Sequence, residues 1–224
     1  MQLFNSATRI RKERRSRVTP EPQGVQFLLA GVQSGGIRQK GGAIMAFTSA
    51  NPGEGVSHVV QFFAEKLASQ TGKPTLVVNA ERLRSLHVTD LVNLPGLRTK
   101  VGNLWSVPEK ASGDNNGNGN GTGKLPDHGK LRQLESETGL DLLQALGATF
   151  DYTLIDCPSI SSSYEAAMLA PDVDGVVLVV EADRTKRDQI FRARQTIEMA
   201  KGNLMGLVLN RRRHVVPEWF YRRL

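Results

Sequence analysis

Five short, unbroken apolar runs recur along the 224 residues and set the fold class before any motif is considered: AIMAF (43–47), TLVVN (75–79), YTLID (152–156), GVVLVV (175–180) and LMGLVL (204–209). None alternates apolar with polar positions, so each reads as a strand covered on both faces, as in a parallel sheet. Helical patterns fall between them. Residues 57–69 are rich in Val, Phe, Ala and Leu and end near Gly72; residues 185–200 put Ile190, Ala193, Ile197 and Ala200 on one face. Strands alternating with helices of this length predict an α/β domain of three layers around a mostly parallel central sheet. A sixth, shorter strand is expected in NLWSV (103–107), a helix over about 130–146, and a short helix within 21–40.

The ends of the chain have a different character. Residues 1–20 carry a charge of +5 and residues 209–224 a charge of +4, leaving −2 for the body of a chain whose net charge is +7. The expected division is therefore a basic, flexible tail over 1–20 and one domain over 21–224. Within it, the low-complexity ASGDNNGNGNGTGK (111–124) marks a flexible loop at 108–129. Basic ends suit an anionic membrane surface, an acidic protein or nucleic acid, or are a solvated tail. The longest apolar runs have six residues, far below the ~20 that cross a bilayer, and the N-terminus lacks the apolar core of a secretory signal. The single cysteine, Cys157, excludes an internal disulfide framework. These features lead us to expect a cytoplasmic protein whose basic ends could contact an anionic surface.

In a parallel sheet the ligand site lies at the carboxyl ends of the strands, where Ser49–Ser57, Asn79–Glu81 and Asp156–Pro158 would converge. The first of these segments, SANPGEGVSH (49–58), follows a strand and opens a helix. It has the glycines that let backbone N–H groups close around phosphates, and a serine hydroxyl placed to help hold Mg²⁺. Against the pattern GxxxxGK[ST], Ala50 replaces the first glycine and Val56 the lysine. The candidate cofactor-binding residues are Pro52, Gly53, Glu54, Gly55, Val56, Ser57 and His58, with Ser57 and Asp156 as metal ligands.

Together SANPGEGVSH, TLVVNAERL, FDYTLIDCPS, AAMLAPDVDGVVLVVEADRTKRDQIFRA and MGLVLN resemble the cytoplasmic domain of the bacterial tyrosine kinases (BY-kinases) that regulate capsule and exopolysaccharide assembly. These are relatives of the ParA/MinD-like P-loop ATPases. The resemblance runs from about Glu21 to the C-terminus and implies the P-loop NTPase fold. Where the family reads SxxPGEGKST, this chain has Val56 for lysine and His58 for threonine. Where it has a strand ending in DADLR, this chain has Asn79 for the first aspartate and Glu81 for the second acid. Asp156 keeps the Walker B carboxylate.

On the resemblance, Asp156, Asn79 and Glu81 are the candidate catalytic residues, and the Walker A motif reads as degenerate. Loss of the lysine removes a charge-assisted hydrogen bond worth roughly 1.5–3 kcal/mol, or about tenfold to a hundredfold in affinity. It should hurt turnover more than binding, because electrostatic positioning is most of phosphoryl-transfer catalysis. ATP or ADP with Mg²⁺ is thus expected to bind weakly or not at all. The family phosphorylates a tyrosine-rich tail, whereas here only Tyr221 lies in the tail, as the phosphoacceptor candidate.

The resemblance further implies, as partner, the cytoplasmic ends of a polysaccharide chain-length-determinant membrane protein. The family's oligomerisation helix is not evident before the first strand, which leaves a homo-oligomer open, and nucleic acid is not an expected partner. The leading expectation is a non-catalytic regulator or scaffold in exopolysaccharide or capsule biosynthesis, peripheral at the inner membrane. The alternatives are an active ATP-dependent protein-tyrosine kinase or ATPase, in which an arginine from the basic segments or a neighbouring subunit replaces the lysine, and a partitioning-type DNA- or membrane-surface-binding protein. Bland readings also stand: Asp156 as a strand-end cap, and Cys157 as a small buried hydrophobe.

Overall fold

The computed structural model describes residues 21–34, 41–86, 98–107 and 139–212, with 98–101 and 139–141 described in backbone alone. The expected basic tail, the 108–129 loop and Tyr221 lie outside the described residues.

The chain runs α1 (Val25–Gln33), β1 (Ala43–Ser49), α2 (Val56–Thr71), β2 (Thr75–Asn79), α3 (Ala80–Arg84), β3 (Arg98–Val101), β4 (Leu104–Ser106), α4 (Gly139–Thr149), β5 (Tyr152–Asp156), α5 (Glu165–Leu169), β6 (Gly175–Glu181), α6 (Arg187–Met199) and β7 (Leu204–Asn210). The seven strands form one sheet in the order β3-β4-β2-β5-β1-β6-β7. Every pairing is parallel except β3 with β4. This is the α/β P-loop NTPase architecture that the apolar runs and the resemblance predict.

Two cores sandwich the sheet, because successive side chains of a strand point to opposite faces. Met45 and Phe47 of β1 face α1 and α2, packing with Leu29, Val59, Phe63 and Leu67. Ile44 and Ala46 face α4, in a cluster with Leu143, Leu146 and Ile155. Helix α2 buries Val56, Val59, Val60, Phe63, Ala64 and Leu67, the spacing of one helical face. It stops at Gly72, whose left-handed conformation lets its N–H reach the Ala68 carbonyl at 3.0 Å. On α6, Ala193 and Ile197 are buried and Ile190 and Ala200 half-buried, the face expected from the sequence.

Two expectations change. LMGLVL is not a strand covered on both faces: β7 lies at the sheet edge, and only Val208 and Asn210 along it are buried, while Leu207 is 47% exposed. An edge strand lacks a second neighbour and needs less cover. In the described residues only Gln23 adds to that edge, exchanging hydrogen bonds with Leu209 at 2.9 and 3.0 Å. The strand β3 and the single-turn helix α3 were not anticipated either, since neither carries an apolar run of its own.

Candidate functional site

Parallel register brings the expected segments to one end of the sheet. Asp156, the last residue of β5, lies level with Phe47 of β1 and with Asn79 of β2. The segment after β5 then runs beside the loop after β1: Cys157 N–H donates to the Phe47 carbonyl and Ile160 N–H to that of Ser49, both at 2.9 Å. Thr48 Oγ1 closes the pair by donating to the Pro158 carbonyl at 2.6 Å. Between them opens a cleft of about 380 Å³, lined by Ser49, Pro52, Gly53, Gly55, Val56, Ser57, Asn79, Asp156, Cys157, Pro158, Ser159, Ser162 and Arg211. Of the expected site residues, Glu54, His58 and Glu81 do not line it.

The loop is built to offer backbone N–H groups. Gly53 and Gly55 both take the left-handed conformation (φ 82° and 88°), which glycine adopts without steric cost. Gly55 also needs its bare Cα because a Cβ would strike the Asn210 side-chain amide. Among the described residues, no side chain caps the start of α2, whose N-cap is Gly55. The first-turn N–H groups and the positive end of a four-turn helix are therefore presented to the cleft, an arrangement that suits an anion.

Glu54 works beneath the loop. Its side chain is 2% exposed, and its carboxylate accepts from Ala50 N–H at 3.0 Å, Asn51 Nδ2 at 2.9 Å and Thr185 Oγ1 at 2.6 Å. Gln189 Nε2 donates to Asn51 Oδ1 at 3.0 Å, so the start of α6 and the turn before it grip the loop from outside. Asn210 completes the hold: its Nδ2 donates to the Glu54 carbonyl at 2.9 Å. Burying a carboxylate demands such partners, and here they fix the loop's shape.

Val56 is the first residue of α2 and 9% exposed, its side chain packed in the α1–α2 core. Asn79 caps α3, its Oδ1 accepting from Glu81 N–H at 2.8 Å; Glu81 is exposed in that first turn. Ser57 and Asp156 line the same cleft, and Asp156 is the sole carboxylate that the described residues bring to it. Such a pair could hold Mg²⁺, which takes one or two protein oxygens and fills its shell with phosphate and water. Burial pushes the Cys157 thiol far above its ordinary range, with the Asp156 and Glu165 carboxylates adding to the shift. It is a small buried hydrophobe and not a nucleophile. Tyr152 is buried in β5, whereas Tyr164 is 76% exposed before α5. Sequence reading missed Ser159 and Ser162 as cleft residues; it allows an arginine from the basic segments to replace the lysine but does not single out Arg211, which the structure places in the cleft lining.

A parallel sheet with a glycine loop running into an uncapped helix, and a carboxylate at the end of the neighbouring strand, defines the P-loop nucleotide-binding class. No family model matches the chain. The sequence is 30% identical over 186 residues to the tyrosine-protein kinase CpsD of Streptococcus agalactiae, covering 75% of each chain. It is 29% identical over 167 residues to the tyrosine-protein kinase YwqD of Bacillus subtilis, covering 73% of this chain and 70% of that one. The chain belongs to this family of bacterial tyrosine-protein kinases. It is also 27% identical to the succinoglycan biosynthesis transport protein ExoP of Rhizobium meliloti, covering 75% of this chain and 22% of that longer one. Among solved structures, the kinase domain of Escherichia coli tyrosine kinase ETK superposes with a TM-score of 0.59 at 17% identity, covering 86% of this chain and 76% of that chain. The VpsO kinase domain gives 0.58 at 23%, covering 84% and 90%.

Proposed function

We propose that this chain is a non-catalytic member of its family, a nucleotide-responsive regulator or scaffold in exopolysaccharide or capsule assembly at the inner face of the membrane. The observation that carries this reading is Val56: where the family pattern puts the phosphate-reaching lysine, an apolar side chain sits in the core. Asn79 adds to it, since an amide can cap α3 but can neither take a proton nor bring charge to a metal ion. Gly53, Gly55 and the open start of α2 still offer a phosphate its N–H groups, so ADP or ATP with Mg²⁺ on Ser57 and Asp156 is the ligand that fits. The bound Mg²⁺ would supply charge neutralisation between phosphates; Ser57 and Asp156 would orient it.

The partner is the cytoplasmic end of a polysaccharide chain-length-determinant membrane protein. ExoP, a transport protein of succinoglycan biosynthesis with a matching segment, supports that choice, and the basic ends would assist by contact with anionic lipid. Calorimetric titration with Mg-ADP, Mg-ATP and the partner's cytoplasmic peptide tests the reading. Binding without ATP turnover is expected, and sustained turnover would overturn it. A second reading, an active kinase or ATPase, is favoured by the retention of Asp156 and Ser57 in one cleft.

A further inference from the structure

Among the described residues the cleft is lined by one cation, and it comes from the far side of the loop, at the sheet's edge strand. Arg211 follows β7 directly, and its Nε would stand 3.7 Å from a Cβ built on Gly55, the residue that opens α2. Its backbone takes the left-handed conformation (φ 56°), which costs a non-glycine residue conformational energy. Hydrogen bonds to the loop hold it there. Arg211 N–H donates to Asn210 Oδ1 at 2.9 Å, and the same amide group donates from Nδ2 to the Glu54 carbonyl at 2.9 Å. Asn210 thus locks Arg211 to the phosphate loop.

We propose that Arg211 is the phosphate-binding cation of this cleft, standing in for the missing lysine and exchanging from Glu181 to the phosphates of a nucleoside di- or triphosphate. The proposal rests on the reading of the cleft as a nucleotide site. Arg211 Nη1 lies 3.3 Å from Glu181 Oε2, and Arg184 Nη1 lies 3.1 Å from the same oxygen. Because Glu181 holds two arginines, Arg211 can leave without stranding the carboxylate. The Arg211 side chain is about half exposed, which leaves it room to change rotamer toward the cleft that it lines. A guanidinium suits phosphate oxygens as a two-pronged donor. Anchored after β7 and not on α2, it adds charge for binding without reproducing the lysine's place along the phosphate chain.

The test uses the full chain and calorimetric titration with Mg-ADP and with pyrophosphate. Arg211→Gly is the informative variant, because glycine accepts the left-handed backbone and the fold is kept, as a thermal melt will verify. It should bind both ligands at least about tenfold more weakly, while Arg211→Lys loses less. Glu181→Gln, which frees the guanidinium, should bind more tightly than the unaltered chain, an outcome that a purely structural role for Arg211 does not produce. Arg194→Gln removes a comparable charge from α6 and should bind as the unaltered chain does. Equal affinities for Arg211→Gly and the unaltered chain would overturn the inference and leave the nucleotide site standing. Weaker ADP binding with unchanged pyrophosphate binding would move the guanidinium to the base or ribose and overturn the phosphate assignment. No binding of Mg-ADP by the unaltered chain would remove the site and the inference together.

Discussion

Val56 and Glu54 stand two positions apart in one loop, and the physics of each side chain gives them opposite meanings. Val56 is apolar and turned into the core, so a lysine in its place would run its stem along the same apolar wall and bring its ammonium toward the cleft. Val56→Lys should therefore strengthen Mg-ADP binding by about tenfold to a hundredfold, measured by calorimetry; unchanged affinity would show that the loop no longer presents phosphate to that position. Glu54 is charged yet buried, with three donors aimed at it. Glu54→Ala should cost about 2–4 kcal/mol of stability in urea unfolding, because it orphans those donors; a loss below about 1 kcal/mol would mean that the loop keeps its shape without it. Cys157 supplies a simpler check. With its thiol raised by burial and flanking carboxylates, it should resist maleimide at pH 8 in the folded protein and react promptly in urea.

Between elements, the loop after β1 is gripped by the turn before α6, by α6 itself and by the end of β7. Asn210 is the most economical of these contacts, since one side chain serves the Glu54 carbonyl and the Arg211 N–H. Asn210→Ala should lower stability by about 1–3 kcal/mol and raise amide exchange in residues 50–55 more than in β1; uniform exchange would show that the loop is held elsewhere. The sheet and its flanking helices were legible in the sequence because continuous apolar runs and helical spacing are direct records of burial. The cleft's floor was legible too, since glycines and a strand-end aspartate mark it locally. What escaped were features fixed by neighbours distant in sequence. Glu54 reads as a ligand until Thr185 is seen beside it. Arg211 reads as one of many tail arginines until β7 is placed at the edge. Asn79 escaped for a different reason: its cap is local, to Glu81 N–H two residues on, but the five-residue helix that it starts carries no apolar run to announce it.

At the scale of the whole molecule, the proposed regulator is a chain that keeps the family's sheet and loop while altering the positions that move a phosphoryl group. Such a protein can still dock, through the proposed partner and the basic ends; no helix among the described residues is long and apolar enough to cross a membrane. Because docking in this account does not use phosphoryl transfer, Val56→Lys should bind the partner's cytoplasmic peptide as the unaltered chain does. The central claim is loss of catalysis, and its most direct test is phosphotyrosine formation. The purified full chain would be incubated with Mg-ATP and the partner's cytoplasmic segment, beside an Asp156→Asn control. The account predicts no phosphotyrosine above the control on either protein. Steady accumulation on the chain or its partner, abolished by Asp156→Asn, would contradict it.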